Sequence, residues 1–168
     1  EKVCGANNSA FAWTEPLDKR CVFFRYPQDG MYLADEGNNA LKLLLCADTF
    51  ESDKSPAYIG VRVTDLDFVM STDVRIEEEC QGKAGLVYLH DEQNYVKWVL
   101  EQDGDGAKLS LVHVEDGIAK VLYSKTMTIF SDCTLIIYQI GISTAYSVIL
   151  FEQVLDLLQS WGGIDGDW

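Results

Sequence analysis

Between Phe68 and Ile76 the chain alternates: Phe68, Met70, Thr72, Val74 and Ile76 are interleaved with Val69, Ser71, Asp73 and Arg75. A period of two places one face of such a segment on a core, so the pattern predicts a strand. Shorter apolar or alternating runs occur at Met31 to Leu33, Leu41 to Ala47, Tyr58 to Val63, Ala84 to Leu89, Tyr95 to Glu101, Lys108 to Val114 and Ala119 to Ser124, each bounded by Gly, Asp or Asn. Their spacing predicts an all-β sandwich of antiparallel strands. Asp116-Gly117 lies between two of these runs, where an Asp-Gly pair supplies the positive φ angles of a tight hairpin. Asp103-Gly104-Asp105-Gly106 and Asp91-Glu92-Gln93-Asn94 provide two more turns, so the stretch from Ala84 to Ser124 is expected to be a four-stranded meander. Leu135 to Ile140 and Tyr146 to Leu150 read as strands. Phe151 to Trp161 instead places Val154, Leu155, Leu158 and Trp161 at helical spacing before Gly162-Gly163, which predicts a short C-terminal helix.

Composition supports a folded chain. Of the 168 residues 48% are hydrophobic, 24% are charged and only 3 are proline, a profile outside that of disordered tails and enough for one domain with its own core. The 27 acidic residues against 13 basic ones leave a net charge of −14, which repels phosphate backbones and anionic lipid surfaces. Nucleic acid and membrane are therefore not expected as partners. No apolar run approaches the roughly 18 residues of a membrane span, and Glu1-Lys2-Val3-Cys4 does not resemble a secretory signal. Cys4, Cys21, Cys46, Cys80 and Cys133 are odd in number and too far apart for zinc knuckles or C-x-x-C redox pairs. Free buried thiols in a reducing, cytoplasmic compartment are the expectation. Asn7-Asn8-Ser9 fits a glycosylation acceptor, which has meaning only in a secreted chain.

Several segments together resemble a known family. Ser55-Pro56-Ala57-Tyr58-Ile59-Gly60-Val61-Arg62-Val63, then Asp67-Phe68-Val69-Met70-Ser71-Thr72, then Ala84-Gly85-Leu86-Val87-Tyr88 resemble the concanavalin-A-like β-sandwich that follows the catalytic propeller in family 43 glycoside hydrolases of the β-xylosidase type. The likeness runs on through Asp91-Glu92-Gln93-Asn94-Tyr95-Val96-Lys97 and Lys108-Leu109-Ser110-Leu111, and back to Trp13 and Arg25-Tyr26-Pro27. Related stand-alone domains carry similar segments. The resemblance covers about Phe11 to Ser124 and implies a jelly roll. Its motifs consist of strand and turn residues, so they specify fold better than function. The tail from Met127 departs from the family pattern.

Catalytic signatures are missing. Retaining glucanases of this general architecture carry Glu-x-Asp-x-x-Glu, a strand motif that sets a nucleophile and an acid about 5 Å apart. The nearest approach here, Glu101-Gln102-Asp103-Gly104-Asp105, is a glycine turn with no second glutamate at the required offset, and Glu77-Glu78-Glu79 reads as a loop or an exposed strand end. His90 and His113 have no Cys or second His at ligand spacing, and there is no Gly-x-Ser-x-Gly elbow and no phosphate-binding glycine loop. The resemblance also implies a structural calcium, for which Asp103, Asp105, Asp165 and Asp167 offer oxygen ligands; Asp103 and Asp105 are the candidates, although Ala107 stands where a ligand is needed and no glutamate closes the loop.

Sugars are bound by flat aromatics flanked by hydrogen-bonding groups. Tyr95 and Lys97 share one strand face and Val96, Trp98 and Leu100 the other, so Tyr95 and Lys97, with Tyr88 and His90 on the neighbouring strand, are candidates for a shallow platform. The competing reading makes Val96 and Trp98 core and the polar face merely solvated; Trp13 fits either role. The expected function is a non-catalytic, carbohydrate-associated β-sandwich whose partner is a glycan or the catalytic domain of a glycoside hydrolase. The alternatives are a stand-alone protein-interaction or regulatory domain and, least favoured, a glycoside hydrolase in its own right.

Overall fold

A computed structural model describes residues 12–65, 67–76, 82–104, 106–127, 133–140, 143–150 and 153–157. The chain forms two compact units, Glu1–Thr64 and Asp65–Trp168. Among the described residues every strand pairing is antiparallel and there is no helix.

The first unit contains β1 (Cys21–Phe23), β2 (Tyr32–Asp35), β3 (Ala40–Leu43) and β4 (Ile59–Val61). β1 pairs with β4, and β2 with β3. The β2–β3 turn is closed by Asp35, whose carbonyl and carboxylate both accept from the Asn38 amide at 3.3 Å, while Asn39 takes a φ of 49°. Around the long connections Phe24, Phe50 and Tyr58 meet edge to face, with centroids 5.2 to 6.4 Å apart, the geometry that the quadrupoles of aromatic rings favour. Arg25, held at a φ of 60°, donates from its guanidinium to the carbonyls of Phe50, Ser52 and Lys54 and sits 4.9 Å from the Phe24 centroid. One side chain thereby satisfies three loop carbonyls.

The second unit holds two four-stranded sheets. The first has the order β12 (Gln153–Leu157), β11 (Ser143–Leu150), β10 (Cys133–Ile140), β5 (Phe68–Val74); the second runs β6 (Lys83–Leu89), β7 (Tyr95–Asp103), β8 (Gly106–Glu115), β9 (Ile118–Met127). Alternation sends Val96, Trp98 and Leu100 of β7 and Ala107, Leu109 and Leu111 of β8 against Val74 of β5 and Cys133, Leu135 and Ile137 of β10, all of them buried. Trp98 is fully enclosed; its Nε1 donates across the sandwich to the Ile136 carbonyl at 3.2 Å, and its ring meets Tyr123 edge to face at 6.2 Å. The indole thus fills the core while its one polar atom is satisfied.

The meander takes the expected form, and the Asp116-Gly117 turn has φ angles of 49° and 76°, the doubly positive pair of a type I′ hairpin. The bulge is in β9: Leu111 faces Tyr123 and Val112 faces Val121, so Leu122 is the extra residue. The expected helix over 151–161 is corrected by β12, which pairs with β11 from Tyr146↔Leu157 to Leu150↔Gln153. Backbone groups along the edge of β11 take a partner strand, and this outweighs a helical spacing carried by few residues. The remainder of that segment lies outside the described residues, as do Cys4, Cys80, Asn7-Asn8-Ser9 and Glu77-Glu78-Glu79. β1, three residues long, is too short to show a period.

Candidate functional site

The face of β6–β9 that points away from the core cluster follows directly from the register. It presents four cross-strand rows: Leu89, Tyr95, Val114 and Ala119; Val87, Lys97, Val112 and Val121; Gly85, Val99, Ser110 and Ser124; and Lys83, Glu101, Lys108 and Thr126. Polarity changes along the rows. At the apolar end Tyr95 and Val114 are 4% and 2% exposed. At the polar end Lys83 and Glu101 form an ion pair at 2.8 Å, and the hydroxyls of Ser110 and Ser124 lie 3.4 Å apart. Gly85 leaves the floor of the third row bare, and it has to, because a Cβ there would collide with the Trp98 carbonyl oxygen. A cavity of about 340 Å³ adjoins the polar end, lined by Gly82, Lys83, Glu101, Gln102, Asp103 and Gly104.

The four residues expected to form a sugar platform are not brought onto one face. Tyr88 stands opposite Val96, on the core side of β6, and its ring lies 5.2 Å from that of Phe68. His90 follows β6 in an exposed turn, its Nε2 4.0 Å from an Asp91 carboxylate oxygen. Tyr95 and Lys97 do share the outer face, but the Lys97 ammonium lies 5.1 Å over the Tyr95 ring, which is itself closed to solvent. The alternation of β7 was legible in the sequence; the pairing that sends Tyr88 inward and the covering of Tyr95 were not. Trp13 is half-buried, and its backbone amide donates to Asn39 Oδ1 at 3.0 Å.

The Asp91-Glu92-Gln93-Asn94 segment is a self-closing turn. Asp91 Oδ1 accepts from the amides of Gln93 and Asn94 at 2.8 Å, and Asn94 Oδ1 accepts from the Asp116 amide at 3.1 Å. The Gln93 carbonyl accepts from Gly117 at 2.9 Å, which ties this turn to the β8–β9 hairpin. The amide of Gln93, then the side chain and amide of Asn94, hold the Asp91 carboxyl below its ordinary pKa. The carboxylate is thus engaged in shaping the loop. Of the calcium candidates, Asp103 ends β7 as an exposed carboxylate and Asp105, Asp165 and Asp167 lie outside the described residues, among which no group of three or more acidic, histidine or cysteine side chains is arranged to hold a metal ion.

Missed from the sequence was a set of exposed apolar residues in the first unit. Tyr26 is 90% exposed, Leu44 64% and Leu33 59%. The signal was the uninterrupted Leu43-Leu44-Leu45, one residue too many for a strand with one solvated face.

Residues 10–151 match the family model described as the β-xylosidase C-terminal concanavalin-A-like domain. Among solved structures the chain is similar to a protein titled Bacteroides ovatus xyloglucan PUL GH43B, at 17% identity and a TM-score of 0.73, covering 85% of this chain and 29% of that one. It is also similar to a GH43_12 protein retrieved from a capybara gut metagenome, at 17% identity and a TM-score of 0.78, covering 86% of this chain and 28% of that one. At that identity the likeness is one of fold. No curated protein matches.

Proposed function

Because the chain belongs to the family of β-xylosidase C-terminal concanavalin-A-like domains, we propose that it acts as the accessory β-sandwich of a glycoside hydrolase, packing against a catalytic domain without itself cleaving glycosidic bonds. The observation that carries this reading is the family match over most of the chain, joined to the small share, under a third, that the fold makes up of the solved GH43 chains it resembles. The geometry of the outer face supports packing over sugar stacking: the aromatic ring it presents, Tyr95, is already enclosed, and Glu101 is engaged by Lys83.

The test uses the purified chain with aryl xylosides and arabinosides and with xylan, arabinan, glucan and galactan oligosaccharides, in calcium and in chelator. No sugar release is expected under any condition. Release that scales with protein concentration and survives repurification would make the chain a hydrolase. Saturable binding to one oligosaccharide class would move the reading to a glycan-binding module.

A further inference from the structure

The β3–β4 connection, residues 44–58, contains neither strand nor helix. Connections this long without secondary structure are uncommon in compact domains and belong mostly to binding loops, lids or linkers. Both ends of this one are fixed. The Leu44 amide donates to the Met31 carbonyl at 2.8 Å, and Ser55 and Pro56 are buried shortly before Ile59 pairs with Phe23. Between them residues 45–54 are exposed except at Asp48, Phe50 and Ser52, three alternate positions that are half-buried. Each of the three is tied to the β1–β2 connection. Gln28 Nε2 donates to Asp48 Oδ2 at 3.5 Å, the Phe50 ring meets that of Phe24 at 5.2 Å, and the carbonyls of Phe50, Ser52 and Lys54 all accept from the Arg25 guanidinium. The segment is also closed on itself: the Ser52 hydroxyl donates to the Thr49 carbonyl at 2.8 Å, and the Ser52 amide donates to the same carbonyl at 3.2 Å.

We infer that residues 45–54 are a strap that opens and closes as one piece, fastened by the Arg25 guanidinium, and that opening lifts the Phe50 ring from those of Phe24 and Tyr58 while the strands keep their register. The fastening suits release. Its three carbonyl contacts end on one exposed side chain, so water can replace them together, and none of them belongs to a strand ladder. A guanidinium is the group that can make all three, since its planar fork carries five donors in fixed directions, whereas an ammonium is a point donor. The backbone at Arg25 favours two discrete positions. Its φ of 60° lies in the left-handed region, where the Cβ of any residue but glycine crowds the following carbonyl, so the closed strap holds Arg25 in a conformation that release relaxes. Closure is favoured in turn by the edge-to-face contacts of Phe50 with Phe24 and Tyr58, at 5.2 and 5.7 Å between centroids. Segments that open locally are those with exposed hydrogen bonds and few buried apolar contacts, which describes 45–54 and not the ladders around the core of the second unit. The strap thereby gives the first unit a surface that changes while its strands stay paired.

The test is nitrogen relaxation-dispersion NMR of the 168-residue chain, which reads motion on the microsecond to millisecond scale residue by residue. Arg25→Gly removes the fastening and accepts the left-handed backbone without strain, and Arg25→Lys keeps the charge without the fork. In both variants residues 45–54 are expected to exchange at one common rate, with an open population about tenfold or more above the parent's, since a hydrogen bond to a charged group shifts an equilibrium by that much. Phe24 and Tyr58 should exchange with them, and the amides of β1 to β4 should keep the parent's chemical shifts. Exchange absent from both the parent and R25G overturns the strap. Exchange at the same rate through the β1–β4 and β2–β3 ladders means that the whole unit opens, which overturns the separate piece. An R25K population equal to the parent's takes the fastening away from the guanidinium and overturns the assignment.

Discussion

Tyr95 and Trp98 stand three residues apart on β7, point to opposite faces, and are both closed to solvent. Trp98 is enclosed by the sandwich core and by its bond to the Ile136 carbonyl; truncating it to alanine removes a filled volume and leaves that carbonyl without its donor. Tyr95, had it been an open stacking ring, would tolerate the same change with little loss of stability. Its burial predicts otherwise: Tyr95→Ala should destabilise the chain by about 3 kcal/mol, near the lower end of the about 3–5 kcal/mol expected for Trp98→Ala. Urea unfolding followed by circular dichroism decides, and a wild-type midpoint for Tyr95→Ala would mean that the ring contributes nothing where it sits. At this scale the sequence conveyed which face each residue of β7 occupies, because alternation is local. It did not convey that the outer face is closed at one end, because alternation says which face a residue takes and not whether that face is covered.

The elements were legible wherever turn chemistry bounded them. Asp116-Gly117 and the Asp91 turn announced the meander through residues that either accept positive φ or bond their own backbone. β12 was not legible, because a strand of five residues on the edge of a sheet is specified by its neighbour's free backbone groups and has no period of its own. β9 presents the converse case, an outer strand of ten residues whose far edge pairs with no strand among the described residues. Ile118 and Val121 are exposed on it, a combination that invites another chain to pair, and Lys120, Lys125 and the bulge at Leu122 are the features that oppose this. Replacing both lysines by valine should leave the fold intact and make the chain aggregate, as followed by light scattering on warming. Scattering no greater than that of the parent would show that the lysines do not guard the edge.

For the whole molecule the decisive quantity is the uneven distribution of charge. Twelve of the fourteen net negative charges reside in Asp65–Trp168, where self-repulsion opposes compaction until salt screens it. Raising sodium chloride from a few millimolar to about 0.5 M should therefore raise the melting temperature, by about 2–4 °C for each kcal/mol of repulsion relieved in a chain of this size. A melting temperature that does not move would place those charges too far apart to interact. The sequence shows the total charge but not this partition, which appears only once the boundary at Thr64 and Asp65 is known. The extra residue in β9 bears on ancestry as well as on shape. Without Leu122 the ladder would still set Leu111 against Tyr123 and Val112 against Val121, so the hairpin can lose that residue, and with it one side chain packed against the core, and keep its register. Between distant descendants a one-residue gap at this point is a difference in spelling that leaves the architecture unchanged.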